Sequence, residues 1–248
     1  MVAIVLAAGY ATRLYPLTQC VPKALLKIGS MTMLDHILDR IRDIEAITQI
    51  VIVSNKKFYG QFMDWVNERG ADGNRAGIVV VNDGTESDET RFGAIGDISF
   101  TIDALSIDDE AMIIAGDNFY SDSLSGFYGF FKQTGVDCVI VKTETDAELL
   151  KRVGIAVVDS DYRVLDFEEK PKKPKSNLAV YAAYIYRRDT LPLFKAYLEE
   201  GNPKDSPGNF PAWLYSRKTV AAYALTGDCY DIGTPEAYSE ICAKYAHW

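Results

Sequence analysis

The stretch V-A-I-V-L-A-A-G-Y-A-T-R, residues 2–13, runs from an unbroken apolar segment through a glycine to a cation. The run Ile4 to Ala8 is about as long as a strand buried on both faces, the kind found in parallel sheets. It has no basic leader and is far shorter than the ~20 residues that cross a bilayer, so it is neither a signal peptide nor a membrane span. A glycine turn after a buried first strand leaves backbone N–H groups free to hold phosphate oxygens. Arg13, and Lys23 in the following P-K-A-L at 22–25, add charge. Arg grips a polyphosphate with parallel bonds, whereas Lys is a point charge that can follow one phosphoryl group.

Apolar runs of similar length recur at Ile50 to Val53, Ile78 to Val81, Ala111 to Ala115 and Cys138 to Val141. Between them, Leu34, Ile37, Leu38 and Ile41 keep helical spacing, as do Phe58, Phe62, Trp65 and Val66. Alternating strands and helices predict an α/β fold, a single domain with a doubly wound, mixed and mostly parallel sheet. After Val153 the texture changes to shorter β segments, at Gly154 to Val158, Val164 to Phe167, Leu178 to Tyr186 and Val220 to Leu225. Helical patterns lie near Leu191 to Leu198 and Pro235 to Tyr245. The expected organisation is one domain over 1–248 with two halves, 1–142 and 143–248.

Composition narrows the function classes. At 248 residues, 48% hydrophobic and 25% charged, the chain is neither disordered nor fibrous. A net charge of −9 works against binding nucleic acid or anionic membranes, so a small-molecule substrate is expected. The aromatic residues are not interleaved with basic ones as a nucleic-acid platform requires. Cysteines 20, 138, 229 and 242 are widely spaced, with no zinc pattern or disulfide framework, and suit a cytoplasmic protein. No G-x-S-x-G elbow supports a catalytic triad, and His36 and His247 need no catalytic role.

L-A-A-G-Y-A-T-R followed by P-K resembles the G-x-G-T-R and P-K signature of the sugar-1-phosphate nucleotidyltransferases, the nucleoside-diphosphate-sugar pyrophosphorylases. The resemblance extends through A-G-D-N-F-Y (115–120), V-G-I-A-V-V-D (153–159), F-E-E-K-P-K-K-P-K-S-N-L-A-V (167–180) and D-I-G-T-P-E-A-Y (231–238). It implies the family's Rossmann-like fold and an Mg²⁺-dependent reaction in which an NTP and a sugar 1-phosphate give an NDP-sugar and pyrophosphate. It also implies roles. Arg13 and Lys23 are catalytic, and Leu6, Ala7, Ala8, Gly9, Thr12, Asn82 and Gly116 hold the nucleotide. Gly154, Glu169, Lys170, Asn177 and Tyr184 hold the sugar phosphate, and Asp117 and Asp231 hold the metal. The 1–142 half is then mainly nucleotide-binding and the 143–248 half mainly sugar-phosphate-binding. The residue types suit these roles: Asp117 follows the strand Ala111 to Ala115, Asp231 lies between a strand and a helix, and Mg²⁺ prefers few carboxylates completed by phosphate and water. Unpaired, the two carboxylates would repel until a cation joins them.

Three positions depart from the pattern. Ala11 replaces the signature's second glycine, V-N-D-G-T-E-S-D-E-T-R-F-G-A-I-G-D (81–97) replaces the usual base-recognition stretch, and Tyr181 and Ala182 replace a Thr-Gly pair. Competing readings are a cytidylyltransferase for a non-sugar phosphate such as phosphocholine, a catalytically silent nucleotide sensor, and a dinucleotide-binding dehydrogenase. The last is disfavoured because G-x-G-x-x-G is absent and Ser54 and Asn55 stand where an acidic ribose ligand belongs. Because the chain stops at Trp248, soon after D-I-G-T-P-E, no C-terminal acyltransferase or β-helix domain is expected. No nucleic-acid or membrane partner is expected, and homo-oligomerisation is left open.

Overall fold

The computed structural model describes residues 1–69 and 76–246; His247 and Trp248 lie outside them. The chain forms two compact units, one of residues 1–92, 114–125 and 227–248, the other of residues 93–113 and 126–226.

In the first unit the strands Val2–Leu6, Gln49–Ser54 and Gly77–Asn82 pair in parallel, with Leu6 opposite Val53 and Val53 opposite Val81. Val2–Leu6 and Gln49–Ser54 are buried along almost their whole length, as their apolar sequence requires, whereas Gly77–Asn82 is mostly half-buried. The first strand ends at Leu6 rather than Ala8, although the Ala7 N–H still bonds the Val53 carbonyl at 2.9 Å. The helix Met33–Ile41 starts at a capping box in which Thr32 and Asp35 satisfy each other's backbone N–H groups. His36 on this helix is buried, bonds the Ile28 carbonyl through Nε2 at 2.9 Å and meets the Phe119 ring edge-on, so it serves the core.

Two three-residue strands, Asn118–Tyr120 and Cys229–Asp231, pair antiparallel with Asn118 opposite Asp231. The second leads into the helix Pro235–Lys244, capped by the Thr234 hydroxyl and begun with proline, whose missing N–H costs nothing there. Phe119, Ile232, Ile241 and Tyr245 pack with Ile28 and Met33 in one buried cluster.

The second unit is mixed. Leu178–Tyr186 runs antiparallel to Asp137–Thr143 and to Gly154–Val158, Val164–Glu169 pairs antiparallel with Gly154–Val158, and Val220–Ala224 runs parallel to Asp137–Thr143. The helices Ala94–Leu105 and Asn209–Leu214, which the apolar periodicity does not announce, belong here. Both units are α/β, as the alternation of apolar runs predicts. In the second unit the antiparallel pairs described involve Leu178–Tyr186 or Gly154–Val158, both beyond Val153, where the sequence texture changes.

Asp137 anchors the start of its strand. It is fully buried, accepts the Arg187 N–H at 2.7 Å and the Thr190 hydroxyl on both oxygens at 2.9 and 2.8 Å, and lies 3.7 Å from the Lys218 ammonium. Truncating it strands these donors in the interior. Asp137→Ala is therefore expected to lower the unfolding free energy by about 2–4 kcal/mol, measured by urea denaturation, and a loss within experimental error would contradict the anchoring role.

Candidate functional site

The loop after the first strand is held from outside. The Ala8 carbonyl accepts the Asn55 amide at 2.8 Å, and Asn55 Oδ1 accepts the Phe58 N–H at 3.0 Å, so this fully buried Asn ties two strand ends together. Among the described residues, the backbone N–H groups from Ala8 to Arg13 donate to no protein acceptor. Successive N–H groups left without protein acceptors are able to cradle an anion, and this run includes Gly9 and Thr12.

Ala11 sits in the left-handed region at φ 49°, ψ 41°, so the loop keeps the path that the missing glycine would favour. The conformation costs a non-glycine residue about 1–2 kcal/mol. Two bonds to its carbonyl hold it there, from the Leu14 N–H at 2.9 Å and the Thr18 hydroxyl at 2.7 Å.

Gly116 closes the next strand against this loop. Its N–H bonds the Leu6 carbonyl at 2.8 Å, and any Cβ would lie 2.7 Å from the same oxygen, so only glycine fits. The following turn aims Asp117 at Lys23, whose ammonium it meets at 2.9 Å with the lysine side chain only 11% exposed. The expected repulsion between two unpaired carboxylates is thus relieved at Asp117 by Lys23. The Ile232 N–H bonds the Asp117 carbonyl at 3.0 Å, which brings Asp231 alongside. Gly233 then lies between charges: a Cβ there would sit 3.6 and 3.7 Å from the Asp231 oxygens and 3.9 Å from Arg13 Nη2. Arg13, Lys23, Asp117 and Asp231 are assembled in one unit.

Asn82 ends its strand with Oδ1 accepting the Gly84 N–H at 2.9 Å. Beside it, buried Asp83 takes the Thr85 N–H at 2.7 Å and its hydroxyl at 2.8 Å, and the Tyr10 hydroxyl lies 3.4 Å from Thr85 Oγ1. Much of the acidic run that follows is paired: Glu86 bonds Lys56, and Asp88 meets Arg91 at 2.7 Å.

In the second unit, Glu169 ends its strand with its side chain only 13% exposed and 3.5 Å from the Lys170 ammonium. Burial raises its carboxyl above the ordinary 4.5, against the opposing pull of Lys170 and Ser206. Gly154 leaves room for this carboxylate, since a Cβ there would stand 3.0 Å from Oε2. Tyr184 is buried and stacked on Tyr186, and its hydroxyl is pushed well above its usual value by burial and by the Glu169 charge. Asn177 is exposed, and its carbonyl accepts the Glu144 N–H at 2.9 Å. Tyr181, at a departure from the motif, is buried and donates to Glu144 at 2.8 Å.

The sequence model of the nucleotidyl transferase family matches residues 2–247. The chain belongs to this family. It is 27% identical to a Sulfolobus acidocaldarius protein provisionally named a mannose-1-phosphate guanyltransferase, over 96% of this chain and 61% of the relative, so it spans about three fifths of that protein's length. A Bacillus anthracis structure, provisionally named a glucose-1-phosphate thymidylyltransferase and bound to sucrose, superposes over 100% of this chain and 96% of its own, with TM-score 0.82 and 24% identity. A UDP-glucose pyrophosphorylase bound to UDP-glucose covers 98% of this chain and 97% of its own, with TM-score 0.81 and 22% identity. The mixed, mostly parallel α/β fold of these nucleotidyltransferases is therefore the fold of this chain. Among the described residues no helix is long and apolar enough to cross a membrane.

The motifs do not single out Asn55, Thr18, Ser206 or Gly208, which act on the loops that carry them. Two predictions follow from the loop and the buried acid. Ala11→Gly should change stability little, because relief of strain offsets the added freedom of the unfolded chain, whereas Ala11→Val should cost more than about 1 kcal/mol in thermal unfolding. A harmless valine would contradict the left-handed conformation. For Glu169, the folded chain binds the carboxyl proton more tightly than the unfolded one. This group's contribution is therefore fullest below about pH 4.5 and declines as pH rises through the folded pKa. Glu169→Gln is expected to melt higher than the parent near neutral pH, with the gap closing towards acid; a gap that widens towards acid would reverse the sign.

Proposed function

We propose that the protein transfers a nucleotidyl group from an NTP to a sugar 1-phosphate and releases pyrophosphate with the help of Mg²⁺. The observation that carries the reading is the assembly of Arg13, Lys23, Asp117 and Asp231 next to a row of unpaired N–H groups. Polyphosphate needs such an arrangement, with dipoles and cations for its oxygens and carboxylates for the cation it brings.

No general base is required, because a phosphate oxygen is already anionic at neutral pH. It attacks the α-phosphorus, a new P–O bond forms, and the bond to the bridging oxygen breaks with its electrons leaving on pyrophosphate. Alignment and charge neutralisation are the protein's share of the work. The N–H groups from Ala8 to Thr12 hold phosphate oxygens, Leu6 and Gly116 fix the loop, Arg13 holds the leaving pyrophosphate and Lys23 the α-phosphate. Asn82 faces the base. In the other unit Lys170 takes the incoming phosphate and Glu169 the sugar hydroxyls, with Gly154, Asn177 and Tyr184 around them.

The donor set fits Mg²⁺. Two carboxylates on hydrogen-bonded segments suit a hard cation that draws its other ligands from phosphate and water. Asp117 and Asp231 would hold the ion, which supplies neutralisation of the triphosphate charge. Four cysteines without a disulfide suit a cytoplasmic setting.

The test is a matrix of NTPs against sugar 1-phosphates and phosphocholine, read by pyrophosphate release. Turnover with a sugar 1-phosphate supports the reading; turnover with phosphocholine alone selects the cytidylyltransferase alternative, and none at all selects the silent sensor. Lys23→Ala should lower kcat by about 10²–10³-fold while the fold is retained, and an unchanged kcat would remove Lys23 from the chemistry. Asp117→Asn and Asp231→Asn should each lose Mg²⁺-dependent stabilisation by NTP together with most turnover. Full activity in EDTA would refute the metal assignment.

A further inference from the structure

The segment between the helices Leu193–Glu199 and Asn209–Leu214 belongs to no motif in the sequence, yet it is fastened at several points. The Pro203 carbonyl accepts the Tyr197 hydroxyl, and the Asn202 amide donates to the Tyr197 carbonyl at 3.0 Å. The Lys204 carbonyl accepts the Ile95 N–H at 3.0 Å, using an otherwise unmatched donor in the first turn of Ala94–Leu105. Gly93, at φ +76°, permits that docking, because a Cβ on it would lie 2.7 Å from the Lys204 carbonyl oxygen. The Ser206 carbonyl in turn accepts the Asn209 N–H at 3.1 Å.

What this fixed segment presents is chemically specific. The Ser206 hydroxyl accepts a hydrogen bond from the Lys170 ammonium at 2.7 Å, closer than that ammonium's approach to Glu169. Lys170 itself stands at φ +50°, so its backbone is committed to one conformation and its long side chain is steered at the far end by Ser206. Gly208 occupies the space beside the neighbouring acid: any Cβ there would overlap Glu169 Oε2. From these contacts we infer that Ser206 and Gly208 are positioning residues for the acceptor substrate. Ser206 sets the Lys170 ammonium and Gly208 leaves the gap that the Glu169 carboxylate fills. The inference rests on the reading that Glu169 and Lys170 meet a phosphorylated sugar. It adds that the 202–209 segment, and not their own strand alone, sets the geometry of the two side chains.

The experiment uses the whole chain with glucose 1-phosphate, mannose 1-phosphate and phosphocholine as acceptors, each measured by calorimetric binding and by steady-state kinetics with saturating NTP. Ser206→Ala should raise the Kd and KM of the accepted phosphate about tenfold, the scale of one hydrogen bond to a charged group, with KM for NTP unchanged. Ser206→Thr, which keeps the hydroxyl, should restore most of it. Gly208→Ala should weaken the same acceptor at least as much; if that variant fails to fold, the serine pair still decides. Wild-type acceptor affinity in Ser206→Ala, or equal losses for acceptor and NTP, would overturn the positioning role. A wild-type chain that takes phosphocholine but no sugar 1-phosphate would refute the sugar reading, while the Ser206 variants on phosphocholine would still test the positioning. If no acceptor binds the wild type, both fall.

Discussion

The approach of Gly116 to the Leu6 carbonyl is the constraint on which the arrangement of Arg13, Lys23, Asp117 and Asp231 depends. With no side chain at 116, the backbone turns directly against the first strand, and the N–H that makes this contact also fixes the direction of Asp117. From there the geometry propagates through main-chain bonds. Asn118–Tyr120 pairs with Cys229–Asp231, and Ile232 bonds back to the Asp117 carbonyl. A methyl group at 116 would move the origin of this chain of contacts, and interior packing leaves little slack to absorb such a shift.

The charges gathered there balance one another locally. Lys23 is largely buried, and an ammonium removed from water is costly unless an anion compensates it, which Asp117 does at 2.9 Å. Arg13 and Lys23 thus stand beside Asp117 and Asp231 on a chain whose net charge is −9. Glu169 shows the opposite arrangement: its raised carboxyl pKa means that the folded state carries an unfavourable ionised group. Asp137 bears a similar cost of burial, offset there by the Arg187 N–H and the Thr190 hydroxyl.

Much of this was legible in the sequence, for identifiable reasons. Strands buried on both faces write themselves as apolar runs, so Ala111–Ala115, Gly154–Val158 and Leu178–Tyr186 have the bounds that their composition announces. The charged residues stand in ordered motifs because glycine and proline punctuate the loops that carry them. Asn118–Tyr120 escaped because three residues carry no periodicity and its partner strand lies far along the chain. Asn55, Ser206 and Gly208 escaped for another reason. Their effect is to bond, or to make room for, a neighbour remote in sequence, and nothing local marks that. Ala11 is the instructive case: the residue type argues against a left-handed turn, yet Leu14 and Thr18 impose one through its carbonyl.

The interleaving of the two units has a consequence for how the molecule comes into being. The first unit is written in three separate stretches, and Asp231 lies in the last of them, after the whole of the second unit. A chain emerging in order from the ribosome presents its glycine loop, Lys23 and Asp117 early, while Phe119 still awaits Ile232, Ile241 and Tyr245. During that interval Ile28, Met33 and Phe119 lack the later members of their cluster. The charged cluster is completed only when the segment carrying Asp231 packs against the one carrying Arg13.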